Sequence, residues 1–96
     1  MFNDLDPLLH SQLRLSIVSL LMTVDEANFT FIQETTKAAA GNVSIQIKKL
    51  QEAGYVKVKK TFKNNYPCTT VSLTQKGRDA FEEYVNDLKT YLHPKR

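Results

Sequence analysis

The sequence predicts a mainly α, α+β domain: four helices and a single two-stranded β-hairpin. Three observations carry that prediction. Apolar residues recur at helical spacing in the stretches before Gly54 and after Leu73. Between them the period switches to alternation, as in half-buried strands. Asp, Asn, Thr, Gly and Pro fall at the joints between these stretches.

The first helix is predicted from Asp6-Pro7, a capping residue followed by a proline suited to a first turn, through Val24. One stripe comprises Leu9, Leu13, Ile17, Leu20, Leu21 and Val24; a second comprises Leu8, Leu15, Val18 and Met22. At 100° per residue the two lie on nearly opposite faces, so the helix is covered on both sides. One side is assigned to the domain core and the other to a partner subunit; the alternative is that Val18 and Met22 are half-covered surface residues. Asp25-Glu26-Ala27-Asn28 reads as a polar connection, and Phe29 to Ile32 as a short strand running into a second helix from Phe31 to about Thr36. A third helix, about Gly41 to Ala53, carries the stripe Val43, Ile47, Leu50 and stops at Gly54. Tyr55–Phe62 and Cys68–Leu73 are strands joined by a turn at Lys63–Pro67. Thr74 caps the last helix, Gln75 to about Leu92, with the stripe Phe81, Val85, Leu88, Leu92, widened by Tyr84 and Tyr91. Two short helices joined by a tight turn and followed by a hairpin describe a winged helix-turn-helix, with residues 1–96 forming one domain and the last helix serving dimerisation.

Ninety-six residues, 42% hydrophobic and 24% charged, fit one small globular domain. No apolar run approaches the ~20 residues of a membrane span, and the N-terminus has no signal-peptide pattern. The single cysteine, Cys68, fits a reducing cytoplasm and excludes cysteine-rich zinc sites. The net charge of +3 is unevenly spread. Residues 1–36 carry one basic and five acidic side chains; residues 37–63 carry seven lysines and one glutamate; residues 64–96 carry five basic and four acidic. Such clustering points either to a face that meets a polyanion or to a solvated lysine-rich surface.

Several phrases, taken in order, are similar to those of a known family. They are Leu5-Asp6-Pro7-Leu8-Leu9-His10-Ser11 with Arg14-Leu15, Gly41-Asn42-Val43-Ser44, and Lys48-Lys49-Leu50-Gln51-Glu52-Ala53-Gly54-Tyr55-Val56. Lys59-Lys60-Thr61-Phe62, Pro67, Thr69-Thr70 and Leu73-Thr74-Gln75-Lys76-Gly77-Arg78 follow. Over about residues 5–92 the chain resembles the small winged-helix DNA-binding domain family of MarR-like transcriptional regulators in bacteria and archaea. The resemblance implies a homodimer on double-stranded DNA, with the third helix in the major groove and the hairpin wing on the adjacent backbone. The wing tip departs from the pattern: Asn65, Tyr66 and Cys68 stand where the family carries basic residues, so the strand lysines are expected to compensate.

Opposite its core stripe the third helix bears Ser44, Ile45, Lys48, Lys49 and Glu52, with Asn42 and Gln46 on one flank. The leading half of such a helix meets the bases, which makes Asn42, Ser44, Ile45 and Gln46 the base-edge candidates. Asn and Gln match adenine, and an exposed Ile suits a thymine methyl, although a lone surface apolar residue is common. Gln46 has a second reading as a bridge to the second helix. Phosphate candidates are Lys37, Lys48, Lys49, Lys57, Lys59, Lys60, Lys63, Asn64 and Asn65, with Thr36 and Arg78 as outliers. Arg14 is expected to pair with an acidic neighbour. The dimer-interface candidates are Leu15, Val18, Met22, Tyr84, Leu88, Tyr91 and Leu92.

His10 and His93 lack a carboxylate at helical spacing, Cys68 lacks a base, and Gly41, Gly54 and Gly77 are isolated. No enzyme, cofactor, metal or membrane partner is therefore expected. A redox role for Cys68 and a small-molecule effector stay open. The competing functions are a winged-helix protein-docking module and a nucleoid-type binder without sequence preference.

Overall fold

The computed structural model describes residues 1–94. Seven elements follow in order: α1 (Gln12–Leu21), β1 (Ala27–Asn28), α2 (Phe29–Thr36), α3 (Ala40–Glu52), β2 (Val56–Lys63), β3 (Tyr66–Leu73) and α4 (Gln75–Leu92). The fold class is as expected, four helices with a hairpin wing, but the sheet gains a third strand in the order β1-β3-β2.

Helix α1 begins later than Asp6-Pro7 suggested. The Asp6 carboxylate accepts from the Leu8 N–H at 2.9 Å and its carbonyl from the His10 N–H at 2.9 Å. Asp6 thus closes a separate turn, which seats the fully buried Leu9, and the helix starts after an extended Ser11. Its far end tightens where the Thr23 N–H and hydroxyl both bond the Leu20 carbonyl.

The short strand also lies earlier than expected. The Asn28 side chain accepts from the Phe31 N–H at 2.7 Å, capping a helix that takes up all of Phe29–Thr36. Strand character is displaced to Ala27–Asn28, which pair antiparallel with Val71 and Thr70.

Helix α3 ends as the sequence predicts. Gly54 sits at φ 81°, its N–H bonds the Gln51 carbonyl, and the Tyr55 N–H reaches back to Leu50. That paired closure needs a left-handed residue after the helix. The hairpin turn is narrower than Lys63–Pro67. Asn64 and Asn65, at φ 54° and 67°, form a two-residue turn, and Tyr66 and Pro67 join the strand. Pro67 pairs with Phe62 at a rung whose N–H would point outward, so the ladder loses no bond.

The core joins Ile17, Leu21, Ile32, Val43, Leu50 and Val71, with Leu9, Ile47 and Val56 around them. Helix α1 crosses its centre, against α2, α3, β3 and α4. That corrects the assignment of Val18 to a partner-facing stripe: it is fully buried within the chain, while Leu15 and Met22 of the same stripe are half-buried. Tyr84 is buried too, with its hydroxyl 2.9 Å from His10 Nδ1. Neither residue has surface left for a partner.

Helix α4 is docked at its start. The Thr74 hydroxyl accepts from the Gly77 N–H at 3.0 Å and donates to the Gly54 carbonyl at 2.6 Å. Gly77 lies against the Tyr55 backbone, where a Cβ would stand 2.2 Å from the carbonyl oxygen. At the other end the N-terminal segment is laced to α4. The Tyr91 hydroxyl donates to the Asn3 carbonyl at 2.7 Å, and Phe2 stacks on Tyr91 at 5.0 Å.

Candidate nucleic-acid interface

The lysine-rich segment 37–63 spans the turn after α2, all of α3 and strand β2. Its seven lysines are all exposed, as are Asn64 and Asn65. Helix α3 buries Val43, Ile47 and Leu50 and turns the opposite side to solvent. Ile45, 55% exposed, sits at the centre of that side. Ser44 and Lys48 lie on the flank towards the wing, Asn42 on the flank towards α1.

Between α3 and the wing runs a groove of about 480 Å³, lined by Ser44, Lys48 and Gln51 from the helix and Val58, Lys60 and Thr69 from the hairpin. Strand register explains why Lys60 is there. Val56, Val58, Lys60 and Phe62 share the face of β2 that packs inward near the core and continues past it along the groove. Lys57, Lys59 and Lys63 alternate onto the other face, so the ribbon is basic on both sides. Lys37 caps α2 in the left-handed region, at φ 59°, and shares a second depression with Asn42.

Two side chains are committed differently from the sequence-based expectation. Arg14 donates from Nε to the Leu8 carbonyl and from its terminal nitrogen to Gln46 Oε1, each at 2.5 Å, rather than to a carboxylate. Gln46 Nε2 then donates to Asn42 Oδ1 at 3.0 Å. Because Arg is donor-only, the Gln46 amide has one permitted orientation. Gln46 is half-buried and bridges to α1, not α2. It holds Asn42, whose amino group and second carbonyl lone pair remain available on the exposed flank. Arg78 turns towards the Met22 thioether, 3.7 Å away. The Thr36 hydroxyl bonds back to the Ile32 carbonyl at 2.8 Å. Ser44, Ile45 and Asn42 therefore stay as side chains free to meet a surface.

The Tyr55 hydroxyl donates to Asp6 Oδ2 at 2.5 Å. Burial first, then that bond and the negative charge of Asp6 and Glu83, push its pKa up to about 12. The contact ties the turn ahead of α1 to the α3–β2 junction. Among the described residues no three His, Cys, Asp or Glu side chains come together in a way that could hold a metal ion. No helix among them is long and apolar enough to cross a membrane.

The dimer-interface candidates divide. Val18 and Tyr84 are internal; Leu15, Met22 and Leu88 are half-buried; Tyr91 and Leu92 are exposed at the end of α4. Met1 and Phe2, which sequence reasoning did not select, add exposed apolar surface there. Only the stacking of Phe2 on Tyr91 reveals them, a long-range contact without a sequence signature.

A family model described as "Winged helix DNA-binding domain" matches residues 13–92. An uncharacterized protein of Methanocaldococcus jannaschii is 32% identical over 79 residues, 82% of this chain and 86% of that protein. The solved structure of a transcriptional regulator homologue from Pyrococcus horikoshii superposes with a TM-score of 0.83 at 28% identity, over 88% of this chain and 84% of that one. A mutant MarR from E. coli, solved in complex with operator DNA, shares the fold at TM-score 0.72 and 16% identity, covering 91% of this chain and 61% of the other.

Proposed function

The chain belongs to the winged helix DNA-binding domain family, and from that premise we propose that it is a transcriptional regulator that reads duplex DNA by sequence as a homodimer. Helix α3 enters the major groove and the wing lies along the flanking backbone. The observation that carries this reading is the exposed face of α3. An apolar Ile45 is flanked by Asn42 and Ser44 and framed by lysines, beside a basic groove that leads to the wing. An Ile held in water at the centre of such a face has its natural partner in a thymine methyl, and Asn42 and Ser44 in base-edge donors and acceptors. Lys37, Lys48, Lys49, Lys57, Lys59, Lys60 and Lys63 supply phosphate contacts, which position without specifying. Gln46 acts through Asn42, fixing its side chain, rather than as a base reader.

The dimer joins α4 ends. Tyr91, Leu92, Met1 and Phe2 form an exposed apolar patch at the end of α4. A twofold arrangement there presents two α3 helices to half-sites about one helical turn apart, roughly 34 Å.

Selection of bound duplexes from a random DNA pool, at ~50 and ~150 mM salt, tests the reading, since phosphate contacts make affinity salt-dependent. The expected result is a two-fold symmetric motif that Ile45→Ala and Asn42→Ala blur. Salt-sensitive retention without a motif would make the protein a nucleoid-type binder. No retention at either salt would make the face a protein-docking surface. Sedimentation at micromolar concentration should give twice the 11.0 kDa chain mass; a monomer would refute the dimer.

A further inference from the structure

The wing ends in an apolar tip that phosphate contact does not explain. Phe62 is 79% exposed and Tyr66 75% exposed, and Pro67 stands directly opposite Phe62. The last rungs that touch the core are Val56 with Leu73 and Val58 with Val71, and β1 reaches no further than Thr70. Four rungs, from Lys60–Thr69 to Lys63–Tyr66, project beyond them, roughly 13 Å at ~3.3 Å per residue. That exceeds the ~7.5 Å depth of the DNA minor groove. The tip is closed by a two-residue Asn64-Asn65 turn, the narrowest a hairpin allows. Folding leaves most of the apolar surface of Phe62 in water. Lys60 shares the ring's face of β2, Lys63 lies on the opposite face, and the groove lined by Lys48 and Lys60 leads towards the ring.

We infer that the wing tip is an apolar wedge: Phe62, backed by Pro67, enters the minor groove and stacks into a base step, kinking the duplex there. This inference rests on the proposed DNA-binding reading. With α3 in the major groove, a ribbon flanking it crosses one sugar-phosphate strand and faces the neighbouring minor groove. The lysines hold the two phosphate walls, and the ring meets the one dry surface between them. Wedges of Phe and Pro inserted in this way unstack a step and bend the helix axis. The aromatic tip is thereby suited to reading deformability, most easily at a pyrimidine–purine step.

The chain contains no tryptophan, so Phe62→Trp places one reporter at the tip. The full chain carrying F62W is titrated with a 30-base-pair duplex selected from the random pool, and its emission is followed with and without acrylamide. Insertion predicts strong quenching of the indole by the bases and loss of acrylamide access. In parallel, Phe62→Ala should weaken binding about 5- to 150-fold for each half-site engaged, the equivalent of ~1–3 kcal/mol per stacked ring. The slope of affinity against salt should stay unchanged, whereas Lys59→Ala, which removes one phosphate contact per half-site, should lower it by about two for the dimer. Circular dichroism checks that both Phe62 variants keep the fold. If F62W binds while its indole stays open to acrylamide, or if F62A binds as tightly as the parent, the wedge is wrong and the DNA reading stands. If no duplex binds any of these proteins, both fall.

Discussion

Gly77→Ala sets two opposed effects against each other at one atom. Alanine is the better helix former by ~0.8–1.0 kcal/mol, so propensity alone predicts a more stable protein. The structure predicts the reverse. The new methyl carbon would stand 2.2 Å from the Tyr55 carbonyl oxygen and 2.9 Å from a Leu73 methyl. Contacts between such atoms do not fall below 3.0 Å, so the two backbones must part by at least about 0.8 Å. The same carbonyl accepts from the Thr74 N–H at 3.0 Å, while the Thr74 hydroxyl gives its one proton to the Gly54 carbonyl at 2.6 Å. Parting by that distance carries the N–H bond out of range. One bond at ~1 kcal/mol, with ~1–3 kcal/mol of overpacking, outweighs the propensity gain. The net loss is about 1–3 kcal/mol. For a domain of this size that lowers the thermal midpoint by roughly 5–20 °C. Thermal and urea unfolding followed by circular dichroism measure it. A midpoint unchanged or raised by G77A would refute the reasoning, because the α4 start would then have room that the backbone geometry denies it.

Three further outcomes follow from other sites. Stability should fall as pH rises from about 10 towards 12, because unfolded Tyr55 ionises near 10.0 while the folded phenol holds its proton to about 12; Tyr55→Phe should lose less than the parent across that window in pH-dependent urea midpoints. Lys37→Gly should raise stability by ~0.5–1 kcal/mol, since glycine carries no penalty at φ 59°, yet lower the salt slope of DNA binding by the dimer by about two; unfolding curves and titrations at several salt concentrations separate the two. Arg14→Ala should destabilise by about 2–4 kcal/mol, with two partly buried charge-assisted bonds lost, and should blur the selected motif at the position that Asn42 reads; an unaltered motif would detach Gln46 from recognition.

The parts of the fold that were legible in the sequence are those specified locally. The α3 stripe, the left-handed stop at Gly54 and the Thr74 cap each need only neighbours within a turn or two, and each stands where periodicity put it. What escaped depended on distant partners. Ala27–Asn28 is a strand only because Val71 and Thr70 lie beside it. Asp6 looks like a helix cap, and only its bonds to Leu8 and His10 reveal a separate turn. Two-sided apolarity predicts cover on both sides of α1, and only the fold shows that α4 supplies part of it. The candidate interface shows the same division. Exposure of Ile45 and of the lysines follows from helix and strand periods. The Arg14–Gln46–Asn42 chain joins residues 32 and 4 positions apart, and only the first of those spans needed the fold.

On the DNA reading proposed above, that chain has a consequence for how the protein's target could change. A recognition helix is easiest to retarget when its reading side chains answer to nothing but DNA. Here residue 42 is oriented by residue 46, and residue 46 by a guanidinium on another helix that also clasps the Leu8 carbonyl. Replacing Asn42 alone leaves the Gln46 Nε2 donor without its partner, and replacing Gln46 alone leaves a donor on Arg14 and an acceptor on Asn42 without theirs. New specificity at this flank must therefore arise by paired or triple substitution, while Ser44 and Ile45, tied to nothing, can drift one at a time. Descendants of this sequence should diversify first along the wing-side half of the helix and keep positions 14, 42 and 46 as a single inherited unit.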